Sequence, residues 1–164
     1  MKLDEYQHFA EKHAYHGGDL VYNVLGLCGE AGEVVEALDG PAGPMKEEAG
    51  DVLFYASRVA SCLGLQLSCV MECETFGDFK DCWEHYERIA IYTGLVADEV
   101  KKFIRDDRSN LTVEREENLR CALRYVLFCL SGIAYDTGTT LNKIAKKNLK
   151  KAEQRNGARL SRQT

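Results

Sequence analysis

The chain has 164 residues, a formal net charge of −5 and a pI near 5.4. This length is sufficient for one domain with a substantial hydrophobic core, and the acidic balance argues against a nonspecific nucleic-acid binder. No apolar run is long enough to span a membrane and the chain begins without a signal-peptide pattern, so we expect a cytoplasmic protein that does not bind membranes.

Helical periodicity divides the chain into seven segments joined by short turns, which predicts an all-α helical bundle. Only two prolines and many Ala, Leu, Glu and Lys residues favour the same fold. Asp19 is placed to cap the second helix, Thr112 to cap the sixth, and Gly64 and Gly138 to end the third and sixth. The predicted helices cover residues 3–15, 20–38, 44–64, 67–75, 78–105, 112–138 and 140–156.

Two pairs of carboxylates, each spaced three residues apart, occur in the second and third predicted helices. Glu30 and Glu33 form the first pair, and Glu48 and Asp51 form the second. Residues three apart share one face of a helix, and the turn-forming sequence DGPAGP between the helices makes them antiparallel. If the two faces meet, four acidic groups converge in one place.

Four carboxylates in a partly dry site repel one another unless cations neutralise them. All-oxygen ligand sets suit Mg²⁺ or Mn²⁺, and these ions attract phosphate groups. The alternative is that the acids lie on solvated helix faces. Apolar neighbours argue against that alternative: Val34, Val35, Leu38, Val52, Leu53 and Phe54.

The sequence segments around these acids resemble segments of a known family. They are GLCGEAGEV and EEAGDVLFYAS, together with LDEYQ near the start of the chain. The chain is similar to the MazG-like, all-α nucleoside triphosphate pyrophosphohydrolases. This resemblance implies metal-dependent hydrolysis of a nucleoside or deoxynucleoside triphosphate to the monophosphate and pyrophosphate. The base, whether guanine as in dGTP and GTP or another, stays open.

The resemblance also implies roles for individual side chains. Glu30, Glu33, Glu48 and Asp51 would hold two or more Mg²⁺ or Mn²⁺ ions, and Glu33 is a candidate for accepting a proton from the attacking water. Two further acids are candidates for outer contacts with the metal site: Glu36 and Glu47.

The closing segment LNKIAKKNLKKAEQRNG resembles the C-terminal segment of the family. By this match, Asn148, Lys151 and Arg155 would bind the phosphates, whereas the other basic residues there are read as a solvated face. The family's base pocket is lined partly from its first helix. Three candidates follow for contact with the base: Gln7, His13 and Tyr22.

The second half of the chain resembles a diverged copy of the first. Val126-Leu127-Phe128 repeats Val52-Leu53-Phe54, and Gly138 matches Gly64 at the same offset. The copy keeps an acid at only one of the four positions, so we expect an acidic, metal-binding half over residues 1–75 and a structural repeat over 78–157 of one domain. The residues that replace the four acids are Asp98, Lys101, Ala122 and Tyr125.

Family members are commonly oligomers, so a homodimer or tetramer is expected. Two other functions stay open at this point. The chain can be a catalytically inactive module that binds nucleotide or metal, or a structural helical assembly protein whose acids face solvent.

Overall fold

The computed structural model describes residues 1–14, 18–71, 82–107 and 110–160, and within them the fold is all-α, as predicted. These residues form seven α-helices and one 3₁₀ turn, with no strand. None of these helices is long and apolar enough to cross a membrane. The helices are α1 (Leu3–His13), α2 (Leu20–Glu36), α3 (Ala42–Cys62), α4 (Leu67–Met71), α5 (Cys82–Arg105), α6 (Val113–Asp136) and α7 (Leu141–Leu160), with the 3₁₀ turn at Ala37–Asp39.

The predicted helix caps are confirmed. The side chain of Asp19 accepts a hydrogen bond from the backbone N–H of Tyr22 at 3.0 Å, and that of Thr112 accepts one from Arg115 at 3.2 Å. Gly64 and Gly138 have φ angles of +70° and +68°, the left-handed conformation that glycine adopts most readily.

The third helix, predicted to start near Pro44, begins two residues earlier at Ala42. Pro44 is tolerated in the first turn since the N–H groups there have no partner within the helix. Helix α7 extends four residues beyond its predicted end, and predicted helical residues 72–75 and 78–81 lie outside the described residues.

Two antiparallel helix pairs form the body of the fold. In the first pair, Gly26 of α2 lies against Tyr55 of α3, and Glu33 lies beside Glu48. In the second pair, Tyr92 of α5 stacks on Tyr125 of α6 with ring centroids 4.5 Å apart. Both pairs contribute to one buried apolar cluster, which fixes the first pair against the second.

Helices α1 and α7 pack against α3 and hold the C-terminal segment beside the acidic residues. The fully buried Tyr6 donates a hydrogen bond to Asn148 of α7 at 2.9 Å. A Cβ atom added to Gly50 of α3 would lie 3.1 Å from the Cβ of Asn148. Glycine at this position therefore permits the close approach of α7.

Candidate active site

Three of the four predicted acids meet where α2 and α3 face each other. Glu30, Glu33 and Glu48 each place one carboxylate oxygen within 4.8 Å of the others. The spacing of three residues puts Glu30 and Glu33 on one face of α2, and the antiparallel pairing brings Glu48 to that face. These oxygens are close enough to bind one cation together.

Burial and mutual repulsion raise the pKa values of two carboxyl groups of this cluster. Burial and then the negative charges of Asp51, Glu33 and Glu48 raise the pKa of Glu30 to about 7. Burial also raises the pKa of Glu48, although Lys151 acts in the opposite direction. The positive charge nearby therefore does not fully neutralise the acids.

The fourth acid, Asp51, is bound by residues of α7. Asn148 donates a hydrogen bond to Asp51 Oδ1 at 2.6 Å, and Lys151 Nζ forms a short ion pair with Asp51 Oδ2. Asp51 is outside the group of three, yet its charge acts on Glu30. The predicted phosphate-binding residues Asn148 and Lys151 are thus brought to the acids.

A pocket of about 370 Å³ opens beside this contact, between α3 and α7. Its lining is mainly cationic, and Lys147 forms an exposed ion pair across it with Glu47 at 2.8 Å. Sequence reasoning placed most of these lysines on a solvated face and missed their grouping. The lining includes Lys46, Glu47, Lys147, Asn148, Lys150 and Lys151.

Two tyrosines lie at the other end of the acidic cluster. The rings of Tyr22 and Tyr55 meet edge to face, with centroids 6.2 Å apart. Burial first, then a hydrogen bond with Tyr22 and the charges of Glu30 and Asp51, raise the pKa of Tyr55. Sequence reasoning missed Tyr55, although its position four residues after Asp51 places it on the same face of α3.

The described hydrogen bonds of Gln7 join helices of the fold and do not reach the acids. Its side-chain amide donates hydrogen bonds to Leu65 O at 2.7 Å and Ser61 Oγ at 3.1 Å and accepts one from Leu67 N at 2.9 Å. These bonds tie α1 to the turn between α3 and α4. Contact of Gln7 with a nucleotide base stays a prediction.

Three predicted residues remain to be located: His13, Arg155 and Glu36. His13 stacks on Phe9 with centroids 4.2 Å apart, and its Nδ1 lies 2.9 Å from the Phe9 carbonyl oxygen. Arg155 is exposed on α7, one turn beyond Lys151. Glu36 is exposed at the end of α2. Nucleotide or metal contact by these three residues stays a prediction.

Residues 21–73 match the family model of the MazG nucleotide pyrophosphohydrolase domain. Over this segment the chain is MazG-like. The matched segment covers about a third of the chain and includes all four acids. The match points to nucleotide pyrophosphohydrolase activity, and the MazG family is typically dependent on divalent metals. No match was found among curated proteins or among solved structures.

The acids of the MazG-like segment offer ligand atoms that suit a divalent cation. All the donors are carboxylate oxygens, three of them within 4.8 Å of one another, and burial together with the neighbouring acids raises the pKa of Glu30. The predicted counterpart of Glu30 in the second helix pair, Asp98, differs. Lys101 and Lys102 lower its pKa to about 2, so its charge is already neutralised within the protein.

Proposed function

We propose that this chain hydrolyses a nucleoside or deoxynucleoside triphosphate between the α- and β-phosphates, with Mg²⁺ or Mn²⁺ as cofactor. The observation that carries the proposal is the convergence of Glu30, Glu33 and Glu48 on the meeting face of α2 and α3. All three acids belong to the segment that matches the MazG domain.

The acids would hold two or more divalent ions, with Asp51 completing the set. When bound, the metal supplies positive charge for the phosphate oxygens and makes water a better nucleophile. Glu33, the exposed member of the cluster, is placed to accept the proton of the attacking water. Water adds to one phosphorus of the α–β bridge, the bridging P–O bond breaks, and the nucleoside monophosphate and pyrophosphate separate.

Helix α7 would supply the cations that the phosphates require on the side away from the metal. Lys151 and Asn148 already bind Asp51, so they reach the acidic cluster without rearrangement of α7. A charged hydrogen bond from Lys151 to a phosphate oxygen would stabilise the negative charge that develops as the bond breaks. Arg155 would act one turn further along α7.

The direct test is a screen of the eight common NTPs and dNTPs with Mg²⁺ and with Mn²⁺, in which products are identified by ³¹P NMR. We expect release of pyrophosphate together with the monophosphate of at least one nucleotide, and its loss in E48Q. Release of orthophosphate, or no hydrolysis of any of the eight, would overturn the proposal. Tight nucleotide binding without turnover would identify an inactive binding module instead.

A further inference from the structure

The cationic pocket between α3 and α7 adjoins the carboxylate cluster. Lys151 lines the pocket and also forms an ion pair with Asp51. One turn earlier on both helices, Lys147 pairs with Glu47. A turn of helix rises about 5.4 Å, so Glu47 of the pocket lies roughly one turn from Asp51 along α3, and Glu48 of the carboxylate cluster directly follows Glu47.

The tyrosine pair lies in the opposite direction along the same helix. Tyr55 follows Asp51 by four residues, whereas Glu47 precedes Asp51 by four. Glu47 at the pocket, Asp51 beside the acidic cluster and Tyr55 of the tyrosine pair therefore follow one another along α3 over about 12 Å. A ligand that is anionic at one end and has a flat ring at the other fits this order in one direction only.

We propose that this pocket, formed by Lys46, Lys147 and Lys150, binds the terminal phosphates of the substrate. The nucleoside then lies toward Tyr22 and Tyr55, and the pocket makes the enzyme select triphosphates over diphosphates. This inference rests on the proposed function for its substrate. The pocket itself requires only a chain of linked phosphates.

The charges around the pocket suit such a ligand. Lys46, Lys147, Lys150 and Lys151 face one lining carboxylate, Glu47, so the lining is net positive in a chain whose net charge is −5. The Lys147–Glu47 pair has side chains 59% and 46% exposed. Exposed ion pairs are weak, so an entering phosphate can readily take Lys147 from Glu47.

The first test measures binding of inorganic pyrophosphate and tripolyphosphate to the metal-free protein by calorimetry at low salt. We expect K147Q and K150Q each to weaken binding about two- to fivefold, and E47Q to strengthen it by a similar factor. The gain in E47Q is informative because a misfolded variant would not bind more tightly. The matched control is K146Q, which removes an equal charge from an exposed residue of α7 outside the pocket.

The second test compares kcat/KM for a nucleoside triphosphate with that for the corresponding diphosphate. We expect the preference for the triphosphate to fall in K147Q and K150Q and to be kept in K146Q. If K146Q weakens pyrophosphate binding as much as K147Q does, or if E47Q has no effect, the pocket proposal is overturned. If no nucleotide is hydrolysed but the binding results hold, the proposed function fails and the phosphate pocket stands.

Discussion

At the scale of single residues, Glu30 shows most clearly how the site differs from an ordinary acidic surface. Its pKa is raised to about 7 by burial and by three neighbouring acids. Asp98, at the predicted equivalent position of the second helix pair, is paired with two lysines. Two acids on similar helices therefore have opposite electrostatic environments, and only the first is suited to bind a cation.

The raised pKa of Glu30 predicts how stability depends on pH. Its pKa is 4.5 in an unfolded chain and about 7 in the folded protein, so the folded state binds this proton more tightly. The metal-free protein should lose stability as pH rises from 4.5 to 7. After discounting for solvent screening, we expect a loss on the order of 1 kcal/mol.

The E30Q variant tests this prediction by thermal unfolding without metal. At pH 8, E30Q should be more stable than the wild type, by a few degrees in Tm, and the difference should shrink toward pH 4.5. The control is E87Q, which alters an exposed acid of α5. If Tm depends on pH in the same way in E30Q and in the wild type, Glu30 does not have the raised pKa.

At the scale of helices, the α2–α3 contact depends on one glycine. A Cβ atom added to Gly26 would lie 2.3 Å from the ring of Tyr55, whereas one added to Gly29 would meet nothing within 4 Å among the described atoms. The two glycines of α2 therefore differ in their surroundings. Gly26 allows Tyr55 to lie along α2 beside Glu30.

We predict that G26A destabilises the protein by about 1–3 kcal/mol, because the added methyl group displaces the Tyr55 ring. G29A should be neutral or stabilising by up to about 1 kcal/mol, because alanine favours a helix over glycine. Urea denaturation of both variants measures the difference. Equal effects of the two substitutions would mean that the α2–α3 contact is looser than described.

The sequence predicted the helices, their caps and the carboxylate cluster because these depend on local spacing. Glu30 and Glu33 share a face of α2 whatever surrounds it, and Asp19 caps α2 through a bond to a residue three positions away. The partners of Asp51 and Gln7 were not predicted. Asn148 is 97 residues from Asp51 and Leu65 is 58 from Gln7, so only tertiary packing determines these contacts.

At the scale of the whole molecule, several large apolar side chains of α2 and α5 remain exposed. Leu25 is 68% exposed, Ile91 59% and Leu95 48%. The two helices contact each other, as the 3.7 Å approach of Cys28 Sγ to Thr93 O shows. This surface is the candidate interface for the homodimer expected from the sequence.

We predict that light scattering during size-exclusion chromatography gives twice the chain mass of 18.4 kDa. The variant L25E should dissociate the dimer, because it places a charge in an apolar interface, and V113E should not, because Val113 lies at the start of α6. A wild-type mass of one chain would contradict the dimer. It would also mean that the second helix pair covers enough of the apolar surface of the first pair for the chain to be a monomer.

The duplication of the helix pair stays a prediction at this scale, and the helix ends support it. The N–H of Leu65 donates to Ala60 O at 2.9 Å after α3, and that of Thr139 donates to Ala134 O at 2.8 Å after α6. Both pairs of residues are related by the same offset of 74 that relates Gly64 to Gly138. If the duplication is correct, one copy kept the acids and the other kept only the packing.

The most direct test of metal binding by the carboxylate cluster is a calorimetric titration of the metal-free protein with Mn²⁺ at pH 7. We expect saturable binding, release of protons because the pKa of Glu30 is about 7, and affinity at least about tenfold weaker in E48Q. Absence of saturable binding to the wild type, or equal affinity in E48Q, would contradict this prediction.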